Sequence, residues 1–340
     1  MLFSKLSSFL IAALPLASAA VIKRNNNYKN VLYWGQGNDY QKSLASYCAS
    51  GSGVDFIVLA FIDHFGNGAY PSGQIGACSI NSDQSYSDEC ADVAKDIQAC
   101  KNNGIKVFLS IGGSGADSTW HLNGDGDAKG VAYSLWHSYA NPAYVDKGTP
   151  RPFGNVFVDG WDIDLESQGG DGSPNSYKYL GSLLNNLRGY FSRDSSHSYY
   201  IAGAPQCPMP EANMGLSMNQ AKYDYLWIQF YNNNCAANDL FKDSNQNPNG
   251  AGYFNLKDWP KYLSNGASKN AKLIVGLPGA PDAADNFDYV QPKNLASLVS
   301  QSQNVPNFAG IMIYDAGAIS ESTTNGKNYA QLVKAALNNA

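Results

Sequence analysis

Apolar runs of strand length recur along the chain and alternate with segments of helical periodicity. Eight such runs occupy residues 31–33, 56–61, 107–111, 156–165, 199–202, 226–231, 273–277 and 310–314. Helical periodicity marks residues 88–100, 177–191, 294–301 and 329–337. Strands that alternate with helices build parallel sheets, and eight such units predict one α/β domain, a (β/α)8 TIM barrel. The polar stretches 115–130 and 232–252 follow the third and sixth runs, so we expect extended βα loops on the face where barrel sites form.

The fourth run carries acids at alternate positions. From residue 161 it reads Trp161, Asp162, Ile163, Asp164, Leu165 and Glu166. Successive side chains of a β-strand point to opposite faces, so the three acids share one face and the three apolar residues share the other. The preceding residues 153–158 are mostly apolar, which predicts a strand buried on both faces. Charges buried together cost free energy and usually mark a functional site.

These acids should perturb one another's ionisation. Alternate Cα atoms on a strand are about 6.6 Å apart, so repulsion and desolvation raise the pKa of at least one carboxyl group. Glu166 is the outermost acid, at the carboxyl end of the predicted fourth strand. We predict that it holds a proton near neutral pH and acts as a general acid. Asp162 and Asp164 would share a charge or a proton beneath it.

Ordered motifs along the chain resemble those of glycoside hydrolase family 18 chitinases, in the plant and fungal class III branch. Residues 159–166 match that family's DGxDxDxE signature in full. Residues 106–114 are similar to its SxGG strand, 32–36 to its first strand, and 204–208 and 225–232 to its fifth and sixth strands. The resemblance runs from about Asn30 to Leu337. It implies a secreted endochitinase that hydrolyses β-1,4 bonds between N-acetylglucosamine units.

The resemblance also implies roles for individual residues. Glu166 would protonate the glycosidic oxygen, Asp164 would hold the amide of the substrate's 2-acetamido group, and Tyr231 would bind the acetamido carbonyl. Asp162 would stabilise the protonated or rotated form of Asp164. The fourth strand supplies carboxylates from one side only, so the acetamido oxygen would serve as the nucleophile and form an oxazolinium ion that water opens with retention. Residues expected to contact the sugar are Tyr33, Gln206, Gln229, Asn232 and Tyr314.

Tyr314 is a departure from the family pattern. The family's eighth strand usually ends in a Trp on which the distorted sugar stacks, whereas residues 310–315 place Tyr314 at that position. A Tyr ring still offers an apolar face, although a smaller one. We predict retained but altered activity, with weaker binding at the subsite of the scissile bond.

The amino-terminal residues have the pattern of a secretory signal peptide. Lys5 supplies a positive end, residues 9–16 are apolar, and residues 17–19 are small, as at a cleavage site. The apolar run is shorter than the roughly 20 residues needed to span a bilayer. We therefore expect a signal peptide at 1–19, a propeptide at 20–24 that ends in a dibasic site, a catalytic domain at 25–340, and a secreted, extracellular protein without a membrane partner.

Six cysteines fit that compartment, because an even number in an exported protein favours disulfides. Fifteen pairings are possible for six cysteines, and spacing does not choose among them. The family resemblance implies the pairs Cys48 with Cys100, Cys78 with Cys90, and Cys207 with Cys235. The sequence has no CxxC and no HExxH, so we expect no metal site and no cofactor.

Charge and composition narrow the class of partner. The chain is 340 residues long, with 44% hydrophobic residues and a formal net charge of −5. No concentrated basic face is visible, which argues against nucleic acid or an anionic membrane. We expect chitin and chitooligosaccharides as partners and a monomeric protein. Two alternatives remain at this stage: a non-catalytic oligosaccharide-binding lectin or inhibitor on the same fold, and an endo-β-N-acetylglucosaminidase.

Overall fold

The computed structural model describes residues 27–36, 40–114, 119–167, 176–242, 253–284, 287–321 and 323–340. The predicted signal peptide at 1–19 and propeptide at 20–24 lie outside the described residues. Among the described residues, no helix is both long and apolar enough to cross a membrane.

Eight parallel strands close into a barrel. The strands of the sheet are β1 (Lys29–Trp34), β2 (Phe56–Gly66), β3 (Ala69–Ile75), β4 (Cys78–Ile80), β5 (Lys106–Gly113), β6 (Thr119–His121), β7 (Gly160–Leu165), β8 (Tyr200–Gly203), β9 (Tyr225–Gln229), β10 (Lys272–Pro278) and β11 (Phe308–Tyr314). Strands β1, β2, β5, β7, β8, β9, β10 and β11 pair in that order, all in parallel. Strand β11 then pairs with β1, which completes the predicted (β/α)8 barrel.

Helices return the chain between the barrel strands. They are α1 (Leu44–Tyr47), α2 (Cys90–Asn102), α3 (Asp125–Tyr139), α4 (Leu180–Phe191), α5 (Gly215–Gln220), α6 (Trp259–Tyr262), α7 (Leu295–Ser302), α8 (Ala318–Glu321) and α9 (Tyr329–Asn338). The four helices predicted from periodicity correspond to α2, α4, α7 and α9. Helix α3 was not predicted and begins inside the polar stretch 115–130. Its first turn contains Asp125 and Asp127, and acids there favour the positive end of the helix dipole.

The barrel wall separates two apolar cores. Side chains such as Phe108, Trp227 and Met312 pack together inside the barrel. On the outer face of β7, Trp161 packs against Trp136 and Phe191 of the surrounding helices. The predicted alternation along this strand is confirmed, because its apolar residues face the helices while its acids face the interior.

Strand β7 is shorter than predicted, since it begins at Gly160 rather than at residue 156. A side chain at Gly160 would meet its neighbours: an added Cβ would lie 2.6 Å from the carbonyl oxygen of Tyr200 and 2.7 Å from Phe108. The glycine therefore allows β7 to enter the barrel between two neighbours.

Strand β2 continues past the barrel rim and supports an antiparallel extension. Strand β3 pairs antiparallel with β2, and β4 pairs antiparallel with β3. This β2–β3–β4 extension rises on the face where the parallel strands end, next to the site.

The structure contains the three disulfides that the resemblance implies. Cys48 joins Cys100 and Cys78 joins Cys90, so two of the bonds attach helix α2 to its surroundings. Cys207 joins Cys235 and links the loops that follow β8 and β9.

Candidate active site

The three acids of the fourth barrel strand form a column that rises to the barrel mouth. Asp162 is fully buried and Asp164 is 3% exposed. Glu166 directly follows the last residue of β7 and is half-buried. The column therefore passes from the barrel interior to the edge of solvent.

Asp162 is fixed by two hydroxyl donors. Tyr33 Oη and Ser110 Oγ both donate to its Oδ2, each at 2.6 Å. Trp227 Nε1 donates to Tyr33 Oη at 3.0 Å and so holds the tyrosine. Burial raises the pKa of Asp162 to about 6, although the hydrogen bonds from Ser110 and Tyr33 oppose that change. The other oxygen, Oδ1, is buried and accepts no hydrogen bond from the described residues.

Asp164 and Glu166 share one donor. Gln229 Nε2 donates to Asp164 Oδ1 at 2.9 Å and to Glu166 Oε1 at 3.1 Å. Burial raises the pKa of Asp164 well above its usual range, and the charges of Glu166 and Asp162 raise it further. Burial also raises the pKa of Glu166, against the effect of the Gln229 hydrogen bond. All three acids therefore tend towards the protonated form.

Tyr231 lies just beyond β9 and is 6% exposed. Burial raises the pKa of its hydroxyl well above the usual value, and the charges of Asp164 and Glu166 add to this effect. The hydroxyl therefore stays protonated and can donate a hydrogen bond near the two acids.

Asn232, the next residue, adopts a left-handed backbone conformation with φ of 56°. Its backbone N–H donates to Asp288 Oδ2 at 2.6 Å. Lys242, which is largely buried, contacts Asp288 and Asp239, each at 2.8 Å. This ion cluster, Lys242 with Asp239 and Asp288, lies behind the turn that carries Tyr231 and Asn232.

Tyr314 ends strand β11 and faces the same site. Its ring centroid is 5.7 Å from that of Tyr33. Burial raises the pKa of its hydroxyl, and the charges of Asp315, Asp164 and Glu166 add to this effect. The neighbouring Asp315 is already engaged, because its Oδ1 accepts the backbone N–H of Ala318 at 3.0 Å.

The predicted sugar-contacting residues occupy different depths. Gln229 and Tyr314 lie beside the acids, whereas the hydroxyl of Tyr33 is engaged by Asp162 below them. Gln206 forms an isolated parallel bridge with Gln229 at the rim. Tyr33 therefore supports Asp162 through its hydroxyl, and its expected contact with sugar stays a prediction.

Two residues that support the site were missed by the sequence analysis. Ser110 holds Asp162, and its position in the SxGG segment was the available signal. Phe61 packs near Tyr33, with ring centroids 6.1 Å apart. An added Cβ at Gly113 would lie 3.1 Å from the Phe61 ring, so this glycine gives the ring room. Phe61 belonged to an ordinary apolar run, and no local pattern distinguished it.

A polar groove lies at the ends of β1 and β2. It consists of two cavities of about 630 and 410 Å³ that share Asp63 and Gln74 in their walls. Trp34 and Gln36, at the end of β1, line the larger cavity, and β3 and β4 line the smaller one. The groove lies on the face that carries the acids, because all barrel strands run in the same direction.

The structure is a closed parallel barrel, and the fourth barrel strand ends in a column of three acids. This arrangement is that of a (β/α)8-barrel enzyme whose site, at the carboxyl ends of the strands, contains groups suited to acid catalysis. Residues 29–332 match the family model of the Glycosyl hydrolases family 18, and the chain belongs to that family.

Curated relatives and solved structures agree with this assignment. Endochitinase 2 of Metarhizium robertsii is 36% identical over 97% of this chain and 78% of its own length. The crystal structure of the ICChI chitinase from Ipomoea carnea superposes with a TM-score of 0.70 and 26% identity, covering 91% of this chain and 99% of that one. The xylanase and alpha-amylase inhibitor protein XAIP-II from Scadoxus multiflorus gives a TM-score of 0.67 and 28% identity, covering 86% of this chain and 94% of that one.

Proposed function

We propose that this protein is a secreted, endo-acting chitinase that cleaves β-1,4 bonds between N-acetylglucosamine units with retention of configuration. The observation that carries the proposal is the column of Asp162, Asp164 and Glu166, whose upper two acids share the amide of Gln229. The similarity to Endochitinase 2 supports chitin as the substrate.

Glu166 is the proposed general acid. Its raised pKa keeps a proton on the acid to higher pH than an ordinary Glu would, and its partial exposure leaves it open to an approaching glycosidic oxygen. The proton would move to the leaving oxygen as the bond between that oxygen and the anomeric carbon breaks.

The nucleophile is proposed to be the carbonyl oxygen of the substrate's acetamido group. A retaining enzyme with two carboxylates needs them on opposite sides of the bond, about 5 to 5.5 Å apart. The acids of β7 rise from one side, and Asp315 is engaged with the backbone of Ala318. The acetamido oxygen would therefore form the bond to the anomeric carbon and give an oxazolinium ion. Water would then open the ring and return a proton to Glu166.

Asp164 and Tyr231 would hold the acetamido group during this attack. A carboxyl oxygen of Asp164 can accept the amide N–H, and the protonated hydroxyl of Tyr231 can donate to the carbonyl oxygen. The strongly raised pKa of Asp164 favours a proton on this acid, so its O–H would be the donor and its other oxygen would be the acceptor for the amide N–H. Rotation of that acid towards the unpartnered Oδ1 of Asp162 would give this buried oxygen a donor.

A binding protein without catalysis is the second candidate, because one structural neighbour is an inhibitor with 28% identity. The intact column of acids and Tyr231 favour hydrolysis over binding alone. An endo-β-N-acetylglucosaminidase would use the same acetamido chemistry, and the similarity to Endochitinase 2 favours chitin over that substrate.

The test is time-resolved analysis of products from chitin hexasaccharide, with anomeric configuration followed by NMR. We expect the wild type to release products that are initially β, and Glu166→Gln to lose at least 10²-fold in rate, a scale typical of lost general acid catalysis. Initial α-products would contradict retention. Tight binding of the hexasaccharide without cleavage by the wild type would instead identify a lectin.

A further inference from the structure

The groove at the ends of β1 and β2 contains a carboxylate that the proposed chemistry does not use. Asp63 lines both cavities of the groove, and its side chain is 31% exposed. His64 Nδ1 contacts Asp63 Oδ1 at 2.6 Å. An added Cβ at Gly73 would lie 2.9 Å from the same oxygen, so the glycine leaves room for the carboxylate against β3. Because His64 engages Oδ1, Oδ2 is the oxygen that would accept a hydrogen bond from a ligand.

Asp63 belongs to strand β2 and lies outside the column of acids. It lies two residues after Phe61, whose ring packs near that of Tyr33, the donor to Asp162. Gln36 connects the two regions, because its Nε2 donates to the carbonyl oxygens of Ala60 and Gln74, each at 3.2 Å. A polymer that extends from the acids along the ends of β1 and β2 would therefore pass Asp63.

The charge of the groove is concentrated at this position. Among the described residues that line the smaller cavity, Asp63 and its neighbour His64 are the ionisable groups, and the remainder are neutral. Lys42 lines only the larger cavity and would repel a cation bound there. A cationic ligand group would therefore favour the part of the groove where Asp63 faces the smaller cavity.

One carboxylate beside one imidazole suits an ammonium group better than a divalent metal. Calcium requires six to eight oxygen ligands, and no group of three or more potential metal ligands occurs among the described residues. An ammonium group needs only a charged acceptor with neutral oxygens nearby. Ser72 and Asn81 of the smaller cavity can supply such oxygens.

We propose that Asp63 binds the ammonium group of a deacetylated glucosamine unit, so that partially deacetylated chitin is a preferred substrate. The inference depends on the proposed function, in which the sugar at the cleaved bond must keep its acetamido group. The amine must therefore belong to a unit bound further along the groove. Fully deacetylated oligomers would bind without being cleaved.

The test uses chitin hexasaccharide and a pool of hexasaccharides that each carry one glucosamine unit. Mass spectrometry of the products gives the position of the amine relative to the cleaved bond. We expect the wild type to prefer one such position over the fully acetylated substrate. Asp63→Asn, which keeps the shape and removes the charge, should reduce that preference about fivefold, a scale suited to a partly exposed ion pair.

Two controls isolate the charge effect. Asp92→Asn removes the same charge from the exposed surface of α2, where Asp92 pairs with Lys95, and should leave the preference unchanged. For the wild type alone, raising the salt concentration from about 0.01 M to about 0.5 M should weaken the preference, because salt screens a partly exposed pair. This second measurement does not depend on whether a variant folds.

The outcomes separate the two proposals. If the wild type cleaves none of these substrates, the proposed function fails. If it cleaves the acetylated hexasaccharide but shows no positional preference for the amine, the role of Asp63 is refuted while the chitinase assignment stands. The role of Asp63 is also refuted if the preference persists both in Asp63→Asn and, for the wild type, at high salt.

Discussion

At the scale of single residues, one side-chain amide acts on the pKa values of two acids. Gln229 donates to both Asp164 and Glu166, and these hydrogen bonds oppose the rise in pKa that burial causes in each. The sequence analysis expected Glu166 to hold the proton of the column. The structure also raises the pKa of the deeper Asp164 well above its usual range, because this acid is buried and lies between the charges of Glu166 and Asp162. Burial and neighbouring charge therefore act on both carboxyl groups that Gln229 contacts.

Replacing Gln229 by Leu should move the pH profile. Loss of the donor removes an effect that lowers the pKa of Glu166, so the proton on the acid should persist to higher pH. We expect the alkaline limb of the kcat/KM profile to shift upward by roughly 0.5 to 1 pH unit. The shift is smaller than a hydrogen bond to a fully buried charged group would give, because Glu166 is partly exposed and solvent weakens the interaction. Gln206→Leu is the matched control and should leave this limb in place. A limb that does not move in Gln229→Leu would contradict the role of this amide.

Variants of Tyr314 test whether its ring contacts the sugar at the cleaved bond. Tyr314→Trp enlarges the aromatic face beside the acids, and we expect KM for chitin hexasaccharide to fall about threefold, on the scale of aromatic contacts. Tyr314→Ala removes the face and should raise KM about tenfold. Steady-state kinetics on the two variants measure both effects. Unchanged kcat and KM in Tyr314→Trp would show that the ring does not contact the sugar.

At the scale of elements, the turn after β9 depends on ions that lie behind it. Asn232 directly follows Tyr231 and has a positive φ, and its N–H is held by Asp288. Lys242 neutralises Asp288 from the other side at 2.8 Å. The position of the proposed acetamido donor, Tyr231, is therefore maintained by residues that come from two different loops.

The ion cluster offers a pair of variants that separate positioning from stability. Asp288→Ala removes both the partner of Lys242 and the acceptor for Asn232 N–H, so kcat should fall about tenfold with little change in KM. The unfolding free energy should drop by about 1 to 3 kcal/mol, the usual cost of a lost partner for a buried group. Asp239→Ala also removes a partner of Lys242 but leaves the Asn232 contact intact. It should lower stability to a similar degree and preserve kcat; an equal loss of kcat in both variants would exclude the positioning role.

At the scale of the whole molecule, closure of the barrel brings distant residues together. Parallel pairing of β11 with β1 places Tyr314 beside Tyr33. The three disulfides lie outside the barrel wall and join helices and loops on its surface. They constrain segments around the barrel rather than the column of acids inside it.

The disulfide that encloses the longer segment of chain should contribute more to stability, because loop entropy grows with the logarithm of the number of enclosed residues. The Cys48–Cys100 bond spans 52 residues and the Cys78–Cys90 bond spans 12. Loop entropy predicts losses of about 4 kcal/mol for the double variant Cys48→Ala/Cys100→Ala and about 3 kcal/mol for Cys78→Ala/Cys90→Ala. Denaturant unfolding of both double variants measures the difference. A larger loss from the shorter loop would show that local packing outweighs chain entropy.

The sequence alone determined the features that depend on local pattern. Strand alternation predicted which residues of 161–166 share each face, and eight strand-like runs that alternate with helical segments predicted the barrel. These inferences succeeded because periodicity and burial are linked within a few residues. Helix α3 was missed, because its first turn, with Asp125 and Asp127, resembles a polar loop in composition, although the rest of the helix has a buried face.

Only the tertiary structure decided which distant groups share one small volume. The hydroxyls of Tyr33 and Ser110 meet Asp162, which follows them by 129 and 52 residues in the chain. Gln229 reaches two acids more than 60 residues earlier, at separations of 65 and 63. The groove that contains Asp63 likewise arises from strands β1 to β4. Such contacts depend on barrel closure and strand register, and no local pattern in the sequence encodes the distances between atoms that long loops bring together.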